Sequence, residues 1–355
     1  MLFSDTKVRI IAKKTRETIV FFILFIIFAA VNDISIIICT DSEELPEFQA
    51  SDFFHSSELF RIYKDTPRHR PVMVVARCAD GRVAAHLLAV IRRRSWLVPP
   101  FLLWHCRIVG EGDYTGFEEH RDELFNLMMT ELVKWMPVHV EYIELSNFTS
   151  KMFGYKTLSE LGFFAVNWLN IHNSLHSKSP EERISAKLLG RINGAIAKGA
   201  ETHEVRTEEE FADFVHLLKA HNYFKPKRFI PDATFFRKVV ESGCGKLLIT
   251  TYNDTTIGCC AYAVSKGNAY LWYAAYLRKS YLRLYPAEVT VWNAIKTAYE
   301  EGCQHFCFLD VGLPYRANKL RDFILGYGGK PVSAFRWFRC RYKWLNRILT
   351  HVWSF

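Results

Sequence analysis

The chemistry open to this sequence gathers around one carboxylate. Asp310 closes the apolar run 305–311 within QHFCFLDVGLPYRANKLRDFILGYGG, residues 304–329. Phe306, Phe308 and Val311 have strand character, and Gly312 with Pro314 stops the strand abruptly. Asp310 therefore sits at a C-terminal strand tip, where open α/β sheets place their ligands. Arg316, Lys319 and Arg321 follow at once, so an acidic tip faces a basic loop. A carboxylate in that position can take a proton from an amine or hold the amine. The plainer reading is a strand cap beside a solvated loop.

Two further groups of cations could meet an anion. Residues 179–182 (SPEE) match a capping box with proline at the first helical position. The helix they open carries Arg183, Lys187, Arg191 and Lys198. The first three are spaced i, i+4, i+8 and so share one face, either of a solvated linker helix or of a phosphate clamp. The second group is larger. From Arg316 to Arg347 there are nine Lys/Arg against one acid, Asp322, which accounts for nearly all of the net charge of +9. Phe335, Trp337, Phe338, Tyr342, Trp344, Trp353 and Phe355 interleave with these cations. That mixture suits a nucleic acid or a membrane interface, and it also suits a solvated edge strand followed by a terminal helix.

Half of the 355 residues are hydrophobic and 15% are aromatic, enough for a large core and too many for global disorder. The length suggests roughly two domains of ~150 residues. Nine cysteines are scattered without a C-x-x-C or paired histidines. The spacing argues against zinc and for reduced core thiols, which favours the cytosol. His172 and His176 show no partner pattern. At the N-terminus, Lys7, Arg9, Lys13, Lys14 and Arg16 precede the apolar run 19–31, which Asn32-Asp33 interrupts. That run is short against the ~20 residues that cross a bilayer, so residues 1–33 read as an extension or as a membrane anchor.

The elements that must position these residues occur twice. In the first half, 71–76 and 83–91 form a hairpin around Asp80-Gly81. A third extended segment, 101–108, follows, then a loop, a helix over 117–135 ended by Pro137, and a strand over 138–145. A short helix, 152–161, leads through Gly162 into a last strand near 171. In the second half, 246–251 and 257–265 form a hairpin around Asn253-Asp254. Strand 268–275, helix 288–301, strand 304–311, helix 319–325 and the Gly328-Gly329 turn follow. The hairpin turns lie 173 residues apart and the glycine turns 166 apart. Matching offsets across independent elements indicate a duplicated domain.

This order resembles the GNAT acyltransferase plan, and the tandem pair resembles the Fem family of peptidoglycan-bridge aminoacyltransferases. The matching stretches are FFHS (53–56), the hairpin PVMVVARCADGRVAAHLLAV, the junction LLGRINGAIAKGAETHEV, the run from AYLWYAAYLRKS to CFLDVGL, and FILGYGGKPV. The resemblance implies an α+β fold of two tandem GNAT-like domains, each a mixed, mainly antiparallel sheet flanked by helices. The expected divisions are 34–177, 178–335 with the basic opening helix, and a basic-aromatic tail 336–355.

It further implies transfer of an acyl or aminoacyl group to an amine of a peptidoglycan, glycan or lipid-linked envelope precursor. Such a reaction uses no metal, no tightly bound cofactor and no covalent enzyme intermediate. The donor would be acyl-CoA or aminoacyl-tRNA. Asp310 and Tyr273 are the implied catalytic residues, Tyr273 as a hydrogen-bond donor to the oxyanion or leaving group. The donor loop would be RKSYLRLYPA (278–287), with Arg278, Lys279, Arg283 and Tyr285, though it lacks the glycine-rich phosphate signature. Arg107, Glu111, Glu144, Lys187, Arg191, Arg316, Asn318 and Lys319 would line the acceptor side. A monomer in the cytoplasm, in peripheral contact with a membrane, is expected. The other class of reading is a catalytically silent duplicate that binds an anionic glycan or lipid precursor.

Overall fold

The computed structural model describes residues 34–93, 104–148, 151–223 and 229–353. The N-terminal anchor reading, residues 101–103 of the third extended segment and Phe355 lie outside the described residues. Among the described residues no helix is long and apolar enough to cross a membrane, and each of the nine cysteines is a free thiol.

The first half runs β1 (Ser35–Cys39), α1 (Ser57–Lys64), β2 (His69–Arg77), β3 (Val83–Arg93) and β4 (Trp104–Val109). It continues with α2 (Arg121–Trp135), β5 (Val140–Ser146), α3 (Tyr155–Glu160) and β6 (Phe164–Ser174). Helices α4 (Pro180–Arg183) and α5 (Ala186–Ile196) join the halves. The second half is β7 (Glu201–Glu204), α6 (Glu208–Asn222), α7 (Ala233–Glu241), β8 (Gly245–Tyr252), β9 (Thr255–Ser265) and β10 (Asn268–Tyr276). Then come α8 (Pro286–Glu300), β11 (His305–Gly312), α9 (Lys319–Leu325), β12 (Lys330–Cys340) and α10 (Lys343–Trp353). The strands of the two halves follow the same order, and the second half carries one more helix between its first two strands. Local chemistry explains the boundaries. Asn253 and Asp254 both take positive φ, 45° and 61°, the conformation of the two-residue turn that matches strand twist. Ser56 caps α1 through the Leu59 N–H at 3.0 Å, and Thr207 with Glu210 forms a capping box at α6.

The twelve strands form one sheet in the order β1-β2-β3-β4-β5-β12-β6-β11-β10-β9-β8-β7. Read from either edge inward, both halves follow the same plan until the last strand, and there they exchange. β6 leaves its own half to pair antiparallel with β11, while β12 returns to pair antiparallel with β5. β6 and β12 pair with each other at the centre along nine residues, Lys330↔His172 to Phe338↔Phe164. Two sequence expectations change here. The boundary at 335/336 falls inside β12, and that strand is one of the two central ones, not a solvated edge. The gap beside β5 demands an antiparallel partner, and β12 supplies it with Trp337 buried in the first half's core. The linker expectation changes too. Ile184 and Ser185 are extended, with ψ 142° and 137°, so the helix breaks and Arg183 does not share a face with Lys187 and Arg191.

Three cores hold this sheet. On the outer face of the first half, Val74, Leu87, Ile91 and Ile143 pack against Leu124, Phe125 and Met128 of α2. On the outer face of the second, Leu248, Tyr262, Phe306 and Phe308 pack against Val289, Trp292 and Ile295 of α8, with Leu188 and Ile192 of α5. The third core is shared between the inner faces. Met73, Val75, Leu88 and Val90 of the first half meet Leu247, Ile249, Cys259 and Ala261 of the second across α1, α6 and α7.

Candidate functional site

Four charged side chains meet on the inner face at the middle of the sheet. They are Arg107 of β4, Glu144 of β5, Asp310 of β11 and Arg336 of β12. Arg336 lies 3.3 Å from Glu144 and contacts Asp310. Arg107 lies 4.0 Å from Glu144 and 3.7 Å from Asp310. Strand alternation directs them inward: Cys106 and Ile108 face the outer core on β4, and Phe335 and Trp337 do so on β12. β4 and β11 are four strand spacings apart in the sheet order, about 19 Å if the sheet were flat. A guanidinium of one reaching a carboxylate of the other shows that the sheet folds sharply over this groove. Arg336 also lies over the Trp168 ring, 4.4 Å from its centroid.

Asp310 reaches this cluster because of a bulge. Phe306 and Phe308 face the outer core, so a regular strand would carry Asp310 into the same apolar layer. Instead the pairing with β6 shifts register between Phe308 and Gly312, and Asp310 adopts φ 67°. That left-handed conformation is strained for a non-glycine residue, and it turns the carboxylate inward while Val311 takes the buried outer position.

The second half also opens a slot. β10 and β11 pair in parallel from Asn268↔His305 only to Leu271↔Phe308, although β10 continues beside β9 to Tyr276. The equivalent strands of the first half, β4 and β5, stay paired to Val109↔Ser146. A register shift between Leu271 and Tyr273 puts both Trp272 and Tyr273 against the inner core. The Tyr273 ring packs edge-on to Phe236 at 5.2 Å. Burial raises its phenol pKa, with Arg92 and Arg107 pulling the other way, so the hydroxyl stays protonated and can donate.

Beside Tyr273, a narrow cavity opens between α1, β3, β4 and β10. Arg92, Arg107 and Tyr273 line it with Tyr63 and His69, together with apolar side chains of the first half. Arg107 also borders a second, smaller recess that holds Asn170, Asp310 and Arg336. It therefore stands between the cavity and the charged groove.

The other sequence-predicted residues divide. Tyr285 caps α8 in the left-handed region before Pro286, and Arg191 of α5 lies over its ring at 5.4 Å. Arg191 thus belongs with the start of α8, and Lys187 is exposed one turn earlier. Arg278, Lys279 and Arg283 are exposed, and Arg278 rests on the Phe323 ring at 4.7 Å. Glu111 ties down its loop by accepting from the Phe148 N–H at 2.7 Å. Asn318 caps α9 through the Leu320 N–H at 2.9 Å, and its Nδ2 donates to the Val311 carbonyl at 2.6 Å. Arg316 and Lys319 remain exposed. Sequence reasoning missed Arg92, Tyr63 and Trp168, and it placed Arg336 in a tail. The signal for Arg92 was present: Leu88, Val90 and Arg92 share one parity on the second strand of a hairpin.

Comparison with known proteins agrees with this architecture. A family model described as an acetyltransferase (GNAT) domain matches residues 186–317, the half that carries the slot. The crystal structure of FemX superposes with a TM-score of 0.56 at 12% identity, covering 87% of this chain and 96% of that one. The C-terminal domain of a protein assigned as a lysylphosphatidylglycerol synthetase from Agrobacterium fabrum gives 0.56 at 10% identity, over 84% and 91%. L-PGS from Bacillus licheniformis gives 0.55 at 10% identity, over 88% and 100%. No curated protein sequence matches the chain. The fold is a tandem pair of GNAT-like domains, similar in architecture to the Fem structure.

Proposed function

We propose that this protein transfers an acyl group from an activated donor to an amine, with the donor seated between β10 and β11. The parting of these two strands after Leu271 and Phe308 carries the reading. It leaves β10 backbone N–H groups turned toward the slot, where a donor carbonyl can accept from them. The amine nitrogen attacks that carbonyl carbon, the C–N bond forms, and negative charge collects on the oxygen. Collapse breaks the bond to the leaving group, which takes the Tyr273 proton. Asp310, oriented by Arg336 and Arg107, receives the amine and accepts its proton. The N-terminus of α8, with Arg191 and Arg278 near it, favours phosphates of the donor.

An acyl-CoA thioester is the donor we favour, because the GNAT model matches the half with the slot. An amine on a cell-envelope precursor is the acceptor class suggested by the likeness to FemX and L-PGS. Calorimetric titration with acetyl-CoA and longer acyl-CoAs tests the donor, with aminoacyl-tRNA as the second ligand. Asp310→Asn is expected to lower kcat by about 10²–10⁴ with donor affinity kept. Equal turnover by wild type and Asp310→Asn would remove Asp310 from the chemistry.

A further inference from the structure

Arg92 is a buried cation with no ion pair among the described residues. It lies near the end of β3 with 9% of its surface exposed, and its Nε donates to His105 Nε2 at 2.7 Å. Among the described residues no carboxylate forms an ion pair with it, and Glu144 acts on it only from beyond ion-pair distance. A buried charge is ordinarily paired, since removing it from water costs several kcal/mol. Arg107 shares the predicament in part. Its Nε is buried without a hydrogen-bond partner, and its two carboxylate neighbours stand off at 3.7 and 4.0 Å. The two guanidiniums repel each other, which a third, negative group between them would relieve.

Both line the cavity beside Tyr273, and its described lining holds no acidic residue. Phe54, Leu59, Leu88 and Val90 supply its apolar walls. Tyr63 and Tyr273 also line it, and among the described residues neither hydroxyl makes a hydrogen bond within the protein. Forked guanidiniums match a carboxylate, and phenols add neutral donors. We propose that this cavity binds an amphiphilic carboxylate, its anionic group held by Arg92 and Arg107 and its apolar body against Phe54, Leu59, Leu88 and Val90. Tyr273 borders both cavity and slot, so in the proposed transfer the carboxylate belongs to the acceptor. That last assignment rests on the transfer reading; the binding itself does not.

The test is calorimetry on the full chain with octanoate and 3-phenylpropanoate. Octanamide and 3-phenylpropanamide serve as neutral isosteres, and inorganic phosphate as an anion without an apolar body. The carboxylates should bind at least about tenfold tighter than their amides, a step of about 1.4 kcal/mol, and phosphate more weakly than either acid. Arg92→Met should lose that preference, and its ligand-free melting temperature should equal or exceed wild type because an uncompensated charge has gone. If that variant does not fold, Tyr63→Phe, expected to weaken carboxylates severalfold and spare amides, gives the same readout. Equal affinity for acids and amides, or no saturable binding of the acids, overturns the proposal. So does a melting temperature lowered by Arg92→Met with the acid preference intact. Coenzyme A titration separates the two readings. Carboxylate binding without donor binding sinks the transfer and keeps the pocket, and donor binding without carboxylate binding does the reverse.

Discussion

Replacing Arg336 with methionine should show whether the charged groove is a dry, closed junction of the two halves. Arg336 and Glu144 are 3.3 Å apart with side chains only 13% and 6% exposed. Removing one partner of a buried pair typically costs about 3–5 kcal/mol, because the other is left uncompensated. Arg107 stays 4.0 Å from Glu144 and offsets part of that loss. The contact with the Trp168 ring, worth about 1 kcal/mol, also goes. Asp310, 45% exposed, adds little because water screens it. The expected loss is therefore about 2–4 kcal/mol, readable by urea unfolding at neutral pH with an unchanged m-value. Glu144→Gln and the double variant complete a cycle, in which the double variant should recover about 1–3 kcal/mol relative to additivity. A cost below about 0.5 kcal/mol, or a strictly additive cycle, would mean that the pair is solvated. The folded-over sheet would then not close the groove.

Acid should weaken the fold before any carboxylate titrates. Burial holds His69 and His86 near 4, against about 6.5 in the unfolded chain. The unfolded state thus takes up protons first: stability is full above pH 6.5 and falls toward pH 4 by up to roughly 1.4 kcal/mol per pH unit for each histidine. Urea midpoints at pH 7 and pH 5 measure the slope, and His86→Asn should reduce it, with His55, His172 and His305, also lowered by burial, keeping part of it; a flat wild-type profile would contradict the burial. Gly328→Ala should cost about 2–4 kcal/mol, combining a left-handed φ with overpacking, since its Cβ would come 2.4 Å from the Arg183 carbonyl oxygen. Gly116→Ala, also at positive φ but in open space, should cost only about 1 kcal/mol, and equal melting temperatures for the two variants would refute the packing argument. Helix α10 exposes Trp344, Ile348 and Val352 at i, i+4, i+8, beside Arg341, Lys343 and Arg347. Full-length protein should sediment with phosphatidylglycerol vesicles more than with phosphatidylcholine, less so in high salt, and Trp344→Ser with Ile348→Ser should lower that binding severalfold. Equal sedimentation with both lipids would dismiss the membrane contact.

Much of this molecule was legible in order along the chain. Alternating apolar runs, the Asn253-Asp254 turn, the capping boxes and the repeated spacing are local properties, set by each residue's conformational preferences and near neighbours. They were enough to place Asp310 at a strand tip and to show that the domain occurs twice. They could not say which last strand completes which half. β6 and β12 offer the same length and the same antiparallel geometry, so local preference is satisfied by either partner. The choice rests on packing across some 170 residues, with Trp337 buried in the first half's core. That exchange carries Arg336 from an apparent tail to the sheet's centre, and the fold of the sheet brings Arg107 across to Asp310. The bulge that turns Asp310 inward, and the isolation of Arg92, likewise follow from what lies on the other side of the groove. Sequence alone names the charged residues; long-range strand pairing and burial decide which of them face one another.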